Sequence, residues 1–393
     1  MALTEREKQI INVVSVERLK DLTLDLVSIP SPTGQSRAAA EAYADHLRRI
    51  GLDVDVSYEF PDSPNVVARL HGAGRGPTLQ LAGHIDTIAT PHAPPHVADG
   101  FVYGRGAADM KGALAAEAAE VIKTEGVRLE GALLLTAFGL HEAPLGHGEG
   151  LQAILRRGVK GDAAIVCEGG GRTLPIAGKG MATFEITVRR SGESIHELNR
   201  APGTPNPILV ANRVLARLES RADEMAQHDV PDVGAESLFI GIIEGGDFYN
   251  RVPVTARIVG TRRYAPGRTS DEARRELQTL VDQVQAEDTS GQVTIELAFT
   301  PVRESFRISP QERIVTVVRT AHEDLVGSDL PLVGISLVAD APILIHEGGI
   351  PAIYHGPWSD RAHADTEYVA LEELARAACM YILCALCFCG VEA

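Results

Sequence analysis

The chain has 393 residues, 45% hydrophobic and 23% charged, an ordinary balance for a globular protein and a length greater than one hydrophobic core usually organises. Its formal net charge of -16 argues against nucleic acid as a partner, because phosphate backbones are bound by an excess of Lys and Arg. The N-terminal stretch "MALTEREKQIINVVSVERLK" is charged, with no apolar core ahead of a small-residue cleavage site. It predicts no secretory leader, no membrane partner and a cytoplasmic protein.

"SRAAAEAYADHLRRIG" carries apolar residues at helical spacing and stops at Gly51, whereas "PTLQLAGHID", bounded by Pro77, is a continuous apolar run of strand length. "MKGALAAEAAEVIKTEG" is helical again, and "GALLLTAFG" and "DAAIVCEGG" are strands. This alternation predicts an α/β domain with a mixed, mostly parallel sheet and helices on its faces. The pattern changes after Gly180: "MATFEITVRR" alternates like a half-exposed strand, and the helix "NPILVANRVLARLE" follows. The strands "ESLFIGIIEGG" and "VTARIVGTRRY", the helix "DEARRELQTLVDQVQAED" and the strand "VTIELAFTP" complete a βαββαβ order. That order predicts an inserted ferredoxin-like α+β domain.

From about residue 301 the α/β pattern returns with "ERIVTVVRTAHEDLVG" and ends in "CMYILCALCFC". The expected division is 1–179 and 301–393 for the α/β domain, with 180–300 inserted. The apolar run around Cys379, Cys384, Cys387 and Cys389 is shorter than the roughly 20 residues a membrane span needs. Buried cysteine behaves as a small hydrophobe, so a packed, reduced terminal helix is predicted.

In open α/β sheets, ligands gather at the carboxyl ends of strands, and "LAGHIDT" places His84 and Asp86 at such an end. Asp109 lies in the Gly-rich "DGFVYGRGAADMKG" before a helix, His141 and Glu142 follow a third strand in "GLHEAPLGHGEG", and Glu168 ends a fourth in "CEGG". Far downstream, "YHGPWSDRAHADTEYV" adds His355 and His363. Imidazoles and carboxylates at successive strand ends, with no cysteine among them, form a ligand set suited to zinc, cobalt or manganese. His92 and His96 in "PHAPPH" read as a surface turn, and His322, His346 and His355 are given no role.

"GHIDT", "DGFVYGRGAADMKG", "CEGG" and "AHADTEYV", in this order and spacing, resemble metallopeptidase family 20. That family contains acetylornithine deacetylase, succinyl-diaminopimelate desuccinylase, aminoacylase and glutamate carboxypeptidase. "SGESIHELNRAPGTPNPI" and "GGDFYNRVPVTARIVGTRRYAPG" are similar to its inserted domain. The resemblance implies a zinc-peptidase-like catalytic domain interrupted by a lid or dimerisation domain, two divalent metal ions, and a homodimer. It implies that His84 binds one ion, His363 the other, and Asp109 both. Glu168 would complete the first set and Glu142 the second, with Asp86 accepting a hydrogen bond from His84 to fix its tautomer. Two such cations lower the pKa of a bound water toward neutrality and polarise the scissile carbonyl.

Relatives carry two adjacent glutamates, the first a general base and the second a ligand, whereas this chain has His141, Glu142 and Ala143. In one register Glu142 is the ligand and His141 the base, for which an unperturbed pKa near 6.5 is suitable. In the other Glu142 is the base and Ala143 leaves the second ion one ligand short. His147 or Glu149 reaching in from the same loop is a third arrangement. In the inserted domain, His196 resembles the histidine that reaches from a partner subunit to stabilise an oxyanion. Arg263 resembles the carboxylate-binding arginine, Asn250 a polar substrate contact, and Arg262 a structural neighbour on the opposite strand face.

The resemblance therefore implies a metal-dependent amidohydrolase that releases an acyl group from an N-acyl amino acid with a free carboxylate. A dipeptidase or carboxypeptidase of the same family is the alternative. So is a metal- or ligand-binding relative without catalysis, because the paired glutamates are altered.

Overall fold

The structure, a computed structural model, describes residues 3–114, 116–336 and 338–392. It divides into two compact units: Met1–Ile176 with Ile308–Val333 and Asp340–Ala393, and Ala177–Arg307 with Gly334–Ala339. The Gly334–Ala339 segment thus groups with the second unit, inside a stretch whose sequence pattern reads as part of the first.

The first unit is built on a six-stranded sheet in the order Asp53–Ser57, Asn65–His71, Ala132–Phe138, Thr78–His84, Ala163–Val166, Ala352–Tyr354. The last four strands are mutually parallel, and the first two pair antiparallel, which makes the sheet mixed and mostly parallel. Thr78–His84 is buried from Leu79 onward, and this explains its unbroken apolar run: a central strand covered on both faces has no solvent side to alternate with. Register then sets which strand ends meet. His84 pairs with Phe138 and Ala82 with Val166, so the segments leaving three strands emerge side by side.

The helices Arg37–Arg49, Ala116–Thr124 and Leu371–Cys389 pack apolar faces into one core with this sheet. In Leu371–Cys389, Tyr381, Cys384 and Cys389 are buried among Leu79, Leu133 and Val318. Glu372 and Glu373 in its first turn face the positive end of the helix dipole. All five cysteines are free, and no helix among the described residues is long and apolar enough to cross a membrane. The helix predicted over "MKGALAAEAAEVIKTEG" is shorter than its periodicity implies. Lys111–Ala113 is a 3-10 turn and the α-helix runs Ala116–Thr124, while Ala115 lies outside the described residues. A Cβ at Gly112 would lie 2.6 Å from the Ala107 carbonyl oxygen, so the chain must first fold tightly on itself here.

The second unit is the βαββαβ arrangement. Its antiparallel sheet runs Ser237–Gly245, Thr255–Tyr264, Gly180–Arg190, Val293–Arg303, with helices Pro207–Ala226 and Ser270–Ala286. Phe184, Ile186 and Val188 alternate inward onto Val214, Leu218, Leu277 and Val281. Asn206 accepts a hydrogen bond from the Ile208 N–H ahead of Pro207 at the first turn, and Thr269 with Glu272 forms a reciprocal cap, so both helices start where the sequence supplies a donor trap. Ser237–Gly245 is an edge strand that exposes Phe239 and Ile243.

Arg262, fully buried, meets Glu236 and Glu276 at the end of this sheet, and Arg268 binds the same two carboxylates. Burial alone would raise the Glu236 carboxyl. The Ala265 N–H and Arg262 outweigh it and hold it below its ordinary value. Arg262→Ala, which removes a fully buried side chain and leaves Arg268 as the remaining partner of Glu236 and, with Arg221, of Glu276, is expected to destabilise this unit by about 1–3 kcal/mol. Arg262→Met should lose less. Denaturant titration that finds the alanine variant as stable as the parent would show the cluster to be unimportant.

Candidate active site

Strand Thr78–His84 ends on a fully buried imidazole. Gly83 lets the Met110 side chain lie against the strand end: a Cβ there would come 2.5 Å from Met110 Cε, and that flexible thioether would have to shift. His84 Nδ1 bonds the main-chain oxygen of Asp86 at 2.9 Å, whereas the Asp86 carboxylate is 3.8 Å away. The orienting group expected from the Asp86 side chain is thus the Asp86 carbonyl. A carbonyl only accepts, so Nδ1 carries the proton. His84 Nε2 then faces Asp109 Oδ1 at 3.0 Å and Glu168 Oε2 at 3.7 Å. A nitrogen lone pair opposite two carboxylate oxygens requires a proton or another cation between them. In the metal-free chain it is a proton. Burial pushes the imidazole down, but hydrogen bonds to Asp109 and Glu168 raise it well above its ordinary value.

Asp109 is delivered by the Gly-rich loop, and Glu367 shapes that loop. This buried carboxylate accepts the N–H groups of Gly106, Ala108 and Asp109 at 3.0, 3.0 and 3.1 Å on one oxygen and Arg105 Nη1 at 2.6 Å on the other. The Glu367 N–H donates to His92 Nε2 at 2.8 Å, so the "PHAPPH" turn is tied to the site rather than being a mere surface turn. Lys111 Nζ anchors the far side of the loop on the carbonyls of Leu26 and Ile29 at 2.8 and 2.7 Å. Held in this way, Asp109 offers one oxygen to each histidine: Oδ1 to His84, and Oδ2 to His363 Nε2 at 3.0 Å. Burial favours its protonated form, but His363 and His84 outweigh that and hold the carboxyl well below the usual carboxylate range.

His363 Nε2 also meets Glu142 Oε1 at 2.8 Å, and hydrogen bonds donated to Asp109 and Glu142 raise the imidazole to about 10. Glu142 is therefore on the His363 side of Asp109, and Glu168 on the His84 side. The dipeptide His141–Glu142 is placed by Asp86. One carboxylate oxygen accepts Thr33 Oγ1 at 2.8 Å, the His141 N–H at 3.0 Å and the Glu142 N–H at 3.1 Å. Leu140 and His363, at φ 60° and 63°, are non-glycine residues in the left-handed region, where active-site backbone is often held. Glu149 accepts the His147 N–H at 2.7 Å, which stabilises its own loop.

His141 stacks on His84, ring centroids 3.9 Å apart and planes within 3°. Its Nδ1 lies 2.8 Å from Asp340 Oδ2. Two parallel rings direct their in-plane lone pairs side by side, so His84 and His141 do not converge on one ion. Sequence reasoning missed Asp340 and Glu367. Glu367 lies inside the quoted "AHADTEYV", but Asp340 carries no local signal beyond preceding a short helix.

In the second unit, His196 and Asn250 are brought together. Leu198 N–H donates to His196 Nδ1 at 3.2 Å, and the Asn250 amide lies 3.1 Å from His196 Nε2. Since Nδ1 accepts, the neutral ring carries its proton on Nε2, and a half-turn of the Asn250 amide gives that proton an oxygen. Arg263 donates through Nη1 to the Ser336 carbonyl at 2.8 Å. Among the described residues no carboxylate pairs with it.

The donor set fits two divalent cations. Three carboxylates face the buried His84 and the half-exposed His363, and Glu168 Oε1 is buried without a hydrogen-bond partner. Ligand atoms of His84, Asp109 and Glu142 lie within 4.8 Å of one another. A family model described as peptidase family M20/M25/M40 matches residues 80–386. The chain belongs to this family.

As a member of the M20/M25/M40 family it is a metallo-amidohydrolase. Succinyl-diaminopimelate desuccinylase of Methylobacterium radiotolerans is 27% identical over 92% of this chain and 94% of its own. N-formyl-4-amino-5-aminomethyl-2-methylpyrimidine deformylase of Bacillus subtilis is 25% identical over 91% of each. Among solved structures, aminopeptidase PepT of Bacillus cereus shares the fold, with TM-score 0.77 and 19% identity over 94% of this chain and 98% of that one.

Groups that orient a metal ligand without touching the ion commonly control affinity by 10–100-fold. Glu367→Ala is accordingly expected to weaken zinc binding by about that factor with the fold retained. Competition against a chromophoric chelator measures this, and unchanged affinity would show that the Asp109 loop holds its shape without Glu367.

Proposed function

We infer that the protein removes an acyl group from an N-acyl amino acid that bears a free carboxylate, as a two-metal deacylase. The observation that carries this reading is Asp109 offering one oxygen to each of two imidazole–carboxylate sets, with a third, stacked imidazole beside them. His84, Asp109 and Glu168 would hold one ion, and His363, Asp109 and Glu142 the other, with zinc the ion this donor set favours and cobalt or manganese also accepted. When bound, the pair supplies an acidified water and a polarised carbonyl.

The rest is the chain's own work. His141 takes the proton of the attacking water on Nε2 and gives it to the amine nitrogen as the scissile C–N bond breaks. Glu142 on the His363 side supports the register in which it is the ligand and His141 the base. His196 of a second subunit, once its Nε2–H leaves Asn250, would donate to the oxygen that becomes negative, where a positioned donor contributes a few kcal/mol. Arg263 has room on its planar fork for the substrate carboxylate, with Asn250 as a neighbouring polar contact. Exposed Phe239 and Ile243 on the edge strand Ser237–Gly245 favour a homodimer joined there. Five free cysteines suit a reducing compartment, the cytoplasm.

The test is a hydrolysis panel with zinc- or cobalt-loaded protein: N-acetyl, N-succinyl and N-formyl amino acids and simple dipeptides, each with free and amidated carboxyl ends. Turnover is expected only with free carboxylates. Arg263→Met should raise KM about 10- to 100-fold, the worth of a charged hydrogen bond, and erase that preference. His141→Ala should lower kcat by about 10²- to 10⁴-fold with both metals retained, and Glu142→Ala should lose one metal. No turnover by the metal-replete parent on any substrate favours the binding-protein reading. Sedimentation equilibrium checks the dimer: Phe239→Lys should yield monomers, and a monomeric parent removes the dimer from the reading.

A further inference from the structure

Asp340 directly precedes the helix Ala341–His346, where an aspartate ordinarily caps, yet its side chain makes no capping hydrogen bond. Instead the fully buried carboxylate places Oδ2 2.8 Å from His141 Nδ1. The segment is built to this position from below: the Ala341 N–H donates at 3.1 Å to the hydroxyl of Tyr354, itself fully buried at the end of strand Ala352–Tyr354.

The His141 ring is thereby fixed in two independent ways. The stack on His84 sets its plane, and the Asp340 bond sets its rotation within that plane. A carboxylate with no proton accepts only, so the ring is held as the Nδ1–H tautomer and its lone pair lies on Nε2. Ligand atoms of His84, His141 and Glu168 lie within 4.8 Å of one another, which keeps the ring at the site. We propose that Asp340 is the positioning residue of the general base, fixing the tautomer and direction of His141. This rests on the reading of His141 as base, but the tautomer is measurable without it.

Asp340→Asn keeps the shape while offering a donor that permits the Nε2–H form. In the zinc-loaded full chain, on whichever of N-acetylornithine or N-succinyl-diaminopimelate the parent hydrolyses faster, kcat is expected to fall about 10²-fold or more. KM and two-metal content should be unchanged. In the metal-free chain, the ¹⁵N shifts of the His141 ring should report Nδ1–H in the parent and a gain of Nε2–H in the variant. An unaltered kcat, or a loss explained by missing metal, overturns the proposal. So does a parent ring protonated on Nε2, which decides the matter even if the variant does not fold. A parent inactive on both substrates and across the hydrolysis panel above, with an Nδ1–H ring, removes the deacylase reading while the positioning stands.

Discussion

Burial of carboxylates beyond the supply of side-chain cations is the constraint from which the catalytic unit follows. Asp86, Glu142, Glu168, Asp340 and Glu367 are all buried, and the Asp109 side chain is 17% exposed. An unpaired charge in such a setting costs several kcal/mol. Three of the six are answered by fixed donors: Asp86 by a hydroxyl and two backbone N–H groups, Glu367 by three N–H groups and Arg105, and Asp340 by His141. Asp109, Glu142 and Glu168 have imidazoles opposite them, and one oxygen of Glu168, like Asp86 Oδ1, has no hydrogen-bond partner. The carboxylates divide by partner. Asp86 and Glu367, met by backbone N–H groups, shape loops, and those met by His84 and His363 face the place where cations belong.

The division depends on topology. His84, His141 and Glu168 leave three neighbouring parallel strands, and the register that pairs His84 with Phe138 and Ala82 with Val166 puts the departures at one level. A slip of one residue would turn His84 to the other sheet face. Register is held by what differs between the faces, the Gln80 amide bonded to Thr136 and to the Gly161 N–H on one and Leu79 and Leu81 packed in the core on the other, and these contacts also aim the imidazole.

Much of this was legible in the sequence because it is local or periodic. The continuous run before His84 announced a central strand, the alternation after Gly180 announced a half-exposed sheet, and a carboxylate in a Gly-rich loop before a helix announced Asp109. What escaped was contact without a local pattern. Nothing in the string around Asp340 tells that it meets a histidine nearly two hundred positions away, and a cap residue is the natural local reading. Asp86 shows a subtler limit. Two residues from His84 it was an apt orienter, but its backbone turns so that the carbonyl takes the imidazole, and the carboxylate is spent on the His141–Glu142 loop. The Gly334–Ala339 segment grouped with the second unit for a similar reason, since chain order alone does not reveal which sheet a short connection joins.

With His141 as the proposed base, an imidazole in the role that the family resemblance gives to a carboxylate also has an electrostatic logic. A fourth carboxylate facing the centre would add repulsion to Asp109, Glu142 and Glu168, and would cancel the charge of two divalent ions. A neutral ring in its place leaves one net positive charge to meet a developing oxyanion. The negative charge is displaced, since Asp340 stands on the far side of the ring and is separated from the other carboxylates by an imidazole. The ring keeps a lone pair whose strength that carboxylate raises: burial pushes His141 down, yet the charge of Asp340 lifts it above its ordinary value. On that proposed reading the stack on His84 becomes a requirement, because an imidazole, unlike a carboxylate, would serve as base only with its plane pointing the one lone pair at the water.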